Sequence, residues 1–511
     1  MSQITTLQTL LAAGADTDIA IAAPDRPALG FRQLREHIQR TVAALNRLGV
    51  GRQDRVALVL PNGPEMATAF IAVASGATAC PLNPAYRAEE FEFYLSDLNA
   101  KAILVECGSQ SPALAVSEKL GVNIIEVHVP ADAPAGVFEL VARAGQSAAA
   151  RAVCPGFAEP DDIGLILHTS GTTSRPKIVP LSQRNLCASA QAIVATLALS
   201  ARDCGLQIMP LFHIHGLMAG LLAPLAAGGR VFCTPGFNAL KFFAWMEEAK
   251  PTWYTAVPTM HQSIVTRAAR NREIIAANPL RFVRSSSSSM PPQVIHELEE
   301  VFKAPVIESY GMTEASHQMA SNPLPPRPRK PGTVGIAAGP EIAIMDTAGQ
   351  LLGPNATGEI VIRGPNVTRG YENNPKANAE AFINGWFRTG DQGVMDAEGY
   401  LTITGRLKEI INRGGEKISP REVDEILMDH PAVQQVVTFA MPHEKLGEEV
   451  AAAVVLREGM QASDQELREF AAKRLADFKV PRKILILAEI PKGATGKLQR
   501  IGLAQKLGLA G

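Results

Sequence analysis

The chain has 511 residues, 46% of them hydrophobic, and a formal charge of -1 at pH 7. That length supports about three to four domain-sized units with sizeable cores, and the near-neutral balance excludes a global footprint for nucleic acid or an anionic membrane. Six cysteines (Cys80, Cys107, Cys154, Cys187, Cys204 and Cys233) are scattered without a C-x-x-C pair, which excludes a zinc pattern and a disulfide framework and favours a reducing compartment.

Taken in order, the N-terminus (Met1-Ser2-Gln3-Ile4-Thr5) has no basic region before an apolar one, so no secretory signal is expected. Helical patterns at Leu34–Leu48 and Glu65–Ala74 alternate with apolar runs at Arg55–Leu60, Ala102–Val105 and Ile124–Val127. Such alternation predicts a parallel sheet with helices on its faces. The most apolar stretches, Met66–Leu82 and Gly216–Cys233, contain Gly and Pro and are rich in Ala. They read as core helix plus strand, with no integral membrane segment. The C-terminal Gly508-Leu509-Ala510-Gly511 carries no peroxisomal or retention tripeptide, so the expected location is cytoplasmic.

The run Ile163–Leu167 predicts a buried strand, and His168-Thr169-Ser170-Gly171-Thr172-Thr173-Ser174-Arg175-Pro176-Lys177 leaves it. Hydroxyls, backbone N–H groups and a nearby Lys suit phosphate oxygens, and the Gly allows a close backbone approach. The G-x-x-x-x-G-K-[ST] spacing of a Walker loop is absent. Read alone, the stretch is also compatible with a solvated polar turn. Further strands are expected at Gly164–Leu167, Val231–Cys233, Trp253–Val257, Phe282–Ser285 and Val306–Tyr310, and Pro291-Pro292 opens a helix. From Glu341 to Thr404, short β runs separated by Gly, Pro and Asn turns predict a small antiparallel or barrel-like layer. A boundary is placed at Gly405-Arg406-Leu407-Lys408, dividing a large domain, 1–407, from a smaller one, 408–511. In the latter, Ser419-Pro420-Arg421-Glu422 and Ser463-Asp464-Gln465-Glu466 read as capping boxes. Strands are expected at Val436–Phe439, Ala451–Val455 and Lys483–Leu487.

Four other stretches carry possible chemistry. Tyr310-Gly311-Met312-Thr313-Glu314 offers an aromatic face, a hydroxyl and a carboxylate suited to Mg²⁺, or is a core tyrosine beside a turn. Trp386-Phe387-Arg388-Thr389-Gly390-Asp391 ends in a carboxylate expected on a tight turn, able to accept from two ribose hydroxyls or to form an Asx turn. Gly405-Arg406-Leu407-Lys408-Glu409 and Asn412-Arg413-Gly414-Gly415-Glu416-Lys417 put charge and flexible backbone at the boundary, as a solvated linker also would. Pro491-Lys492-Gly493-Ala494-Thr495-Gly496-Lys497 sets a lysine on a glycine-flanked loop, where an exposed lysine is ordinarily inert.

Together and in this order, TSGTTSRPK, YGMTE, WFRTGD, GRLKE and PKGATGK resemble the adenylate-forming superfamily of acyl-CoA synthetases, non-ribosomal adenylation domains and firefly luciferase. The resemblance covers nearly the whole chain. Ser174 and Ile178 depart from the usual glycines without removing a phosphate ligand. It implies an α/β fold: a large N-terminal domain of parallel α/β sheets plus the small β-barrel-like layer, and a mobile α+β C-terminal domain. It also implies an enzyme that joins a carboxylate to ATP, giving acyl-AMP and pyrophosphate, then passes the acyl group to coenzyme A.

Residue by residue, the resemblance implies that Thr169, Ser170, Gly171, Thr172 and Thr173 cradle phosphates near Lys177. Tyr310, Gly311, Met312 and Ser288 would line the nucleotide, with Tyr310 stacked on adenine. Thr313 would bond the α-phosphate and Glu314 would bind Mg²⁺. Asp391 would take the ribose hydroxyls beside Arg406, and Lys497 would bridge the acid and the α-phosphate. Lys408 matches the hinge, and Gly414 and Gly415 would approach the pantetheine arm.

The acid pocket should be lined by Phe212–Gly216, by the serine run and by residues after YGMTE. These stretches are polar here, Arg284–Met290 and Thr313–Met319, and burying a second carboxylate demands such partners. PLFHIHGL, RSSSSSM and YGMTEASHQMASNPLP look closest to the oxalate–CoA ligase group. His213, His215, Ser287, Ser289 and His317 are the expected acid contacts. A medium-chain or aryl (coumarate-type) ligase is the alternative; an adenylation domain serving a carrier protein and a silent nucleotide-binding protein are further ones.

Overall fold

Apolar runs that do not alternate become strands buried on both faces, which belong in parallel sheets covered by helices. In the computed structural model, which describes residues 4–144, 151–169, 176–491 and 498–509, Arg55–Val59, Thr78–Pro81 and Ala102–Glu106 are such strands. They form the middle of a seven-stranded sheet ordered Glu139–Ala142, Asn123–His128, Ala102–Glu106, Arg55–Val59, Thr78–Pro81, Ile163–Thr169, Lys177–Ser182. Its inner strands are parallel and its two edge strands antiparallel. A nine-stranded sheet has six parallel strands at its heart: Val306–Met312, Phe282–Ser285, Trp253–Ala256, Cys204–Gln207, Arg230–Cys233 and Ile19–Ala22. His317–Ser321 turns back antiparallel onto Val306–Met312.

The helix Gln183–Thr196 packs against strands of both sheets. Its buried Gln183 Nε2 donates to the Ala74 carbonyl at 2.6 Å, and its Oε1 accepts from the Leu7 amide at 3.0 Å. That satisfies a polar side chain that burial would otherwise penalise. One core gathers Phe242, Trp245, Tyr254, Leu298 and Phe302; another gathers Phe91, Leu95, Ile103 and Ile124. Among the described residues, no helix is long and apolar enough to cross a membrane.

The chain divides into two compact units, one of Met1–Thr169, Lys177–Ile342 and Ile362–Ala381, the other of Ser170–Pro176, Ala343–Val361 and Phe382–Gly511. The small layer is a five-stranded sheet ordered Glu341–Met345, Thr357–Arg363, Trp386–Met395, Phe382–Ile383, with Leu401–Arg406 also paired to Trp386–Met395. Further on, Val433–His443 and Gly447–Leu456 make a long antiparallel hairpin, with Lys483–Ile486 parallel beside it. Ile411, Val423, Leu427, Val450 and Leu467 fill the core around it.

Two local expectations need correction. Asp391 does not end a tight turn: it lies within the ten-residue strand Trp386–Met395, opposite Arg406. The polar Arg388–Asp391 segment has turn composition, but it lies in a strand flanked by Thr357–Arg363, and its end, Asp391, pairs with Arg406. The Ser419 box does not form, because the Ser419 hydroxyl donates instead to the Thr404 carbonyl. The Ser463 box does form: its Oγ accepts from the Glu466 amide at 3.1 Å, and its amide donates back to the Glu466 carboxylate at 3.4 Å.

Candidate active site

The strand Val306–Met312 delivers Tyr310, Gly311 and Met312 at its C-terminal end, where ligands of open α/β sheets gather. One 3₁₀ turn, Thr313–Ala315, follows, and then Ser316 and His317 adopt φ of +49° and +90°. Two successive non-glycine residues in left-handed space are costly and persist only where their surroundings hold them. Here Ser189 Oγ donates to the Ser316 carbonyl at 2.5 Å, Ser316 Oγ donates to the Asn366 carbonyl at 2.9 Å, and Asn366 Nδ2 donates to the carbonyls of Ala315 and Gln318 at 2.9 and 3.0 Å. Gly311 makes the return possible: a Cβ there would stand 1.8 Å from the His317 carbonyl oxygen.

Glu314 is buried, and its Oε1 accepts from the Tyr371 hydroxyl at 2.8 Å. The Lys177 ammonium lies 4.3 Å from the centre of the same Tyr371 ring, a cation–π distance. Tyr371 therefore links the two motifs expected to handle phosphate and metal, and a carboxylate oxygen here is of the kind that suits Mg²⁺. Sequence reasoning missed it, since a tyrosine in Arg369-Gly370-Tyr371-Glu372 has no telling spacing. Thr169 closes the strand Ile163–Thr169. His168 before it is a half-buried partner of Asp97 at 3.0 Å, and desolvation lowers its pKa against the opposing pull of that carboxylate.

The serine run is divided by the sheet. Ser285 and Ser286 are buried, and Ser286 Oγ donates to the Ser309 carbonyl at 3.1 Å. Ser287 is half-buried with φ +71°, and Ser288 and Ser289 are exposed. His215 Nδ1 lies 3.1 Å from Ser287 Oγ, and its ring stacks on His317 with centroids 4.8 Å apart. Half-buried His213 lies beside the Phe212 ring at 4.7 Å, just ahead of a π-helix, Gly216–Leu222, a distortion that recurs at functional sites. The structure thus groups His215, Ser287 and His317. It adds one residue the sequence did not single out as a contact: Arg284 lies fully buried against both imidazoles.

In the other unit, Asp391 is buried and its Oδ1 accepts from Arg406 Nε at 2.9 Å. Thr389 Oγ1 accepts from the Asp391 amide at 3.1 Å while donating to the Ile360 carbonyl at 2.7 Å, which fixes the carboxylate's backbone. Lys408 is exposed at the centre of the 3₁₀ turn Leu407–Glu409. Gly414 and Gly415, with φ +59° and +103°, turn the hairpin between Ile411–Arg413 and Glu416–Ile418, a conformation that favours glycine at both positions. Ser170, Gly171, Thr172, Thr173 and Lys497 lie outside the described residues.

Comparison with known proteins accords with this layout. The profile of the AMP-binding enzyme family matches residues 12–372, and that of the AMP-binding enzyme C-terminal domain matches residues 422–497. The oxalate–CoA ligase of Arabidopsis thaliana is 46% identical over 96% of this chain and 97% of its own. That of Saccharomyces cerevisiae is 43% identical over 89% and 87%. The crystal structure of ATP-bound MatB from Rhodopseudomonas palustris superposes with a TM-score of 0.87 at 27% identity, covering 99% of each chain. The chain belongs to the AMP-binding enzyme family.

Proposed function

We propose that the protein is an ATP-dependent acid–CoA ligase whose acid is a small dicarboxylate, oxalate first. The observation that carries the substrate reading is the polar wall of stacked His215 and His317, Ser287 and buried Arg284 where an apolar lining would serve a fatty or aromatic acid. The similarity to two oxalate–CoA ligases supports it.

The chemistry has two steps. A carboxylate oxygen of the acid attacks the α-phosphorus of ATP, and the bond to pyrophosphate breaks. The thiol of coenzyme A then attacks the acyl carbon; the thioester forms, AMP leaves, and the thiol proton is released. Two anions must meet in the first step, so their alignment and the offset of their repulsion dominate the barrier. Glu314 would hold Mg²⁺, which neutralises phosphate charge. Thr313 and the Thr169–Thr173 stretch would bond phosphate oxygens with Lys177 nearby. Tyr310 would stack on adenine, Asp391 would accept from the ribose, and Lys497 would place its ammonium between acid and α-phosphate. His213, His215, Ser287, Ser289 and His317 would receive the acid. Lys408 would act as the hinge between a domain of residues 1–407 and one of 408–511, with Gly414 and Gly415 near the pantetheine arm. A cytoplasmic setting fits six free cysteines.

Pyrophosphate release measured with oxalate, malonate, coumarate and octanoate, at saturating ATP and Mg²⁺, tests the reading. The highest kcat/KM is expected for oxalate. Preference for octanoate or coumarate would overturn the assignment in favour of a medium-chain or aryl ligase.

A further inference from the structure

Arg284 stands on the central strand Phe282–Ser285 with no exposed surface. A buried guanidinium is normally matched by a carboxylate, because an uncompensated charge in the interior is costly. The half-buried Arg500 follows that rule, with Asp424 at 2.6 Å and Glu409 at 3.2 Å. Arg284 does not. Its Nη1 donates to His215 Nε2 and Thr255 Oγ1, both at 3.3 Å; its Nη2 donates to His317 Nε2 at 3.1 Å and Gln318 Oε1 at 3.2 Å. All four acceptors are uncharged groups, and among the described residues Nε has no hydrogen-bond partner. Burial alone pushes the guanidinium pKa down to about 9.

The contacts also fix the imidazoles. Arginine is donor-only, so each Nε2 must accept, and each ring must carry its hydrogen on Nδ1. His215 then donates from Nδ1 to Ser287 Oγ, and Thr255, 2.6 Å from His215 Nε2, donates its hydroxyl there. Gln318 is oriented to match, since its Nε2 donates to Thr196 Oγ1 at 3.1 Å and to the Ala338 carbonyl at 2.9 Å, leaving its oxygen for Arg284. A fixed positive charge thus backs two stacked rings whose Nδ1 atoms carry the hydrogen, and among the described residues no carboxylate pairs with it.

We propose that Arg284 is the specificity-determining positioning residue for the acid. Its charge, exerted through the stacked rings of His215 and His317 and, by way of the His215 Nδ1–H, through the Ser287 hydroxyl, selects a small acid whose second end is also anionic. This deepens the dicarboxylate reading above and rests on it. The missing countercharge is the second carboxylate, and an isosteric acid with a neutral second end leaves the cation uncompensated.

Oxalate and oxamate make the comparison, since oxamate replaces one carboxylate by a neutral amide of the same size. Wild-type enzyme should favour oxalate over oxamate in kcat/KM for pyrophosphate release by at least about 100-fold, the scale on which buried polar mismatch discriminates. In Arg284→Gln and Arg284→Met that ratio should fall by at least about tenfold, mainly through a higher KM for oxalate, with the KM for ATP within about twofold of wild type. Arg284→Lys, which keeps the charge, should hold the ratio within about threefold. A merely structural arginine would lower both acids alike, so an unmoved ratio in Arg284→Gln and Arg284→Met overturns the inference. If those two variants do not fold, Arg284→Lys decides: a retained ratio supports the inference, and a tenfold fall overturns it. Absence of oxalate-dependent release by the wild type would overturn the dicarboxylate reading itself and this inference with it.

Discussion

A methyl group is enough to test the local geometry at Gly311. Its Cβ would meet the His317 carbonyl oxygen at 1.8 Å, and both neighbours are backbone in paired strands, so neither side can yield by rotating a side chain. Gly311→Ala should force apart Met312 and His317, which pair across the two strands, and should cut kcat/KM for pyrophosphate release by at least about 100-fold. Activity within threefold of wild type would show that the return to His317 is not needed. Residues of this kind were legible in the sequence only as a motif. Tyr371 and Arg284 were not legible as site residues, because their meaning comes from partners distant in the chain: Glu314 for one, His215 and His317 for the other.

Among elements, those with continuous apolar runs were read well. The expected strands at Arg55–Leu60, Ala102–Val105 and Trp253–Val257 appear as Arg55–Val59, Ala102–Glu106 and Trp253–Ala256, since burial on both faces leaves an unbroken signature. Polar strands were harder. Arg388–Asp391 looks like a turn, and only its place in a strand with neighbours on both sides makes it otherwise. The C-terminal unit also holds an arrangement that spacing could not reveal. Arg500 ties Asp424, in the helix Pro420–Met428, to Glu409, which directly follows the proposed hinge Lys408, and it donates to the Thr438 carbonyl at 2.8 Å. Burial raises the Asp424 pKa although Arg500 opposes it, so losing the arginine leaves a half-buried carboxylate without its cation. Arg500→Met should destabilise this unit by about 2 kcal/mol or more, seen as a lower denaturant midpoint. It should also slow adenylation, because Arg500 lies three residues beyond Lys497. An unchanged midpoint would show that the ion pairs are exchanged for water without loss.

At the scale of the whole molecule, stability and domain use can be separated. His37 is buried in the helix Phe31–Arg47, and among the described residues its Nε2 has no hydrogen-bond partner. Burial, aided by Arg40, lowers its pKa from 6.5 to about 4. The unfolded chain therefore takes up a proton near pH 6.5 that the folded chain refuses until about pH 4. This stabilisation is complete above 6.5 and is lost as pH falls to about 4, by up to ~3 kcal/mol. The acid side of a melting-temperature profile should flatten in His37→Gln, and an equally steep profile would contradict the assignment. Lys408→Pro should slow thioester formation from preformed acyl-AMP by at least about tenfold while adenylation changes less than about threefold, because proline fixes φ at the hinge. Equal slowing of both half-reactions would remove the hinge role. The central claim is that acid and ATP react through a mixed anhydride with AMP. Mass analysis of AMP formed from ¹⁸O-labelled oxalate tests it most directly: each turnover should leave one labelled oxygen in AMP, and unlabelled AMP would contradict the account.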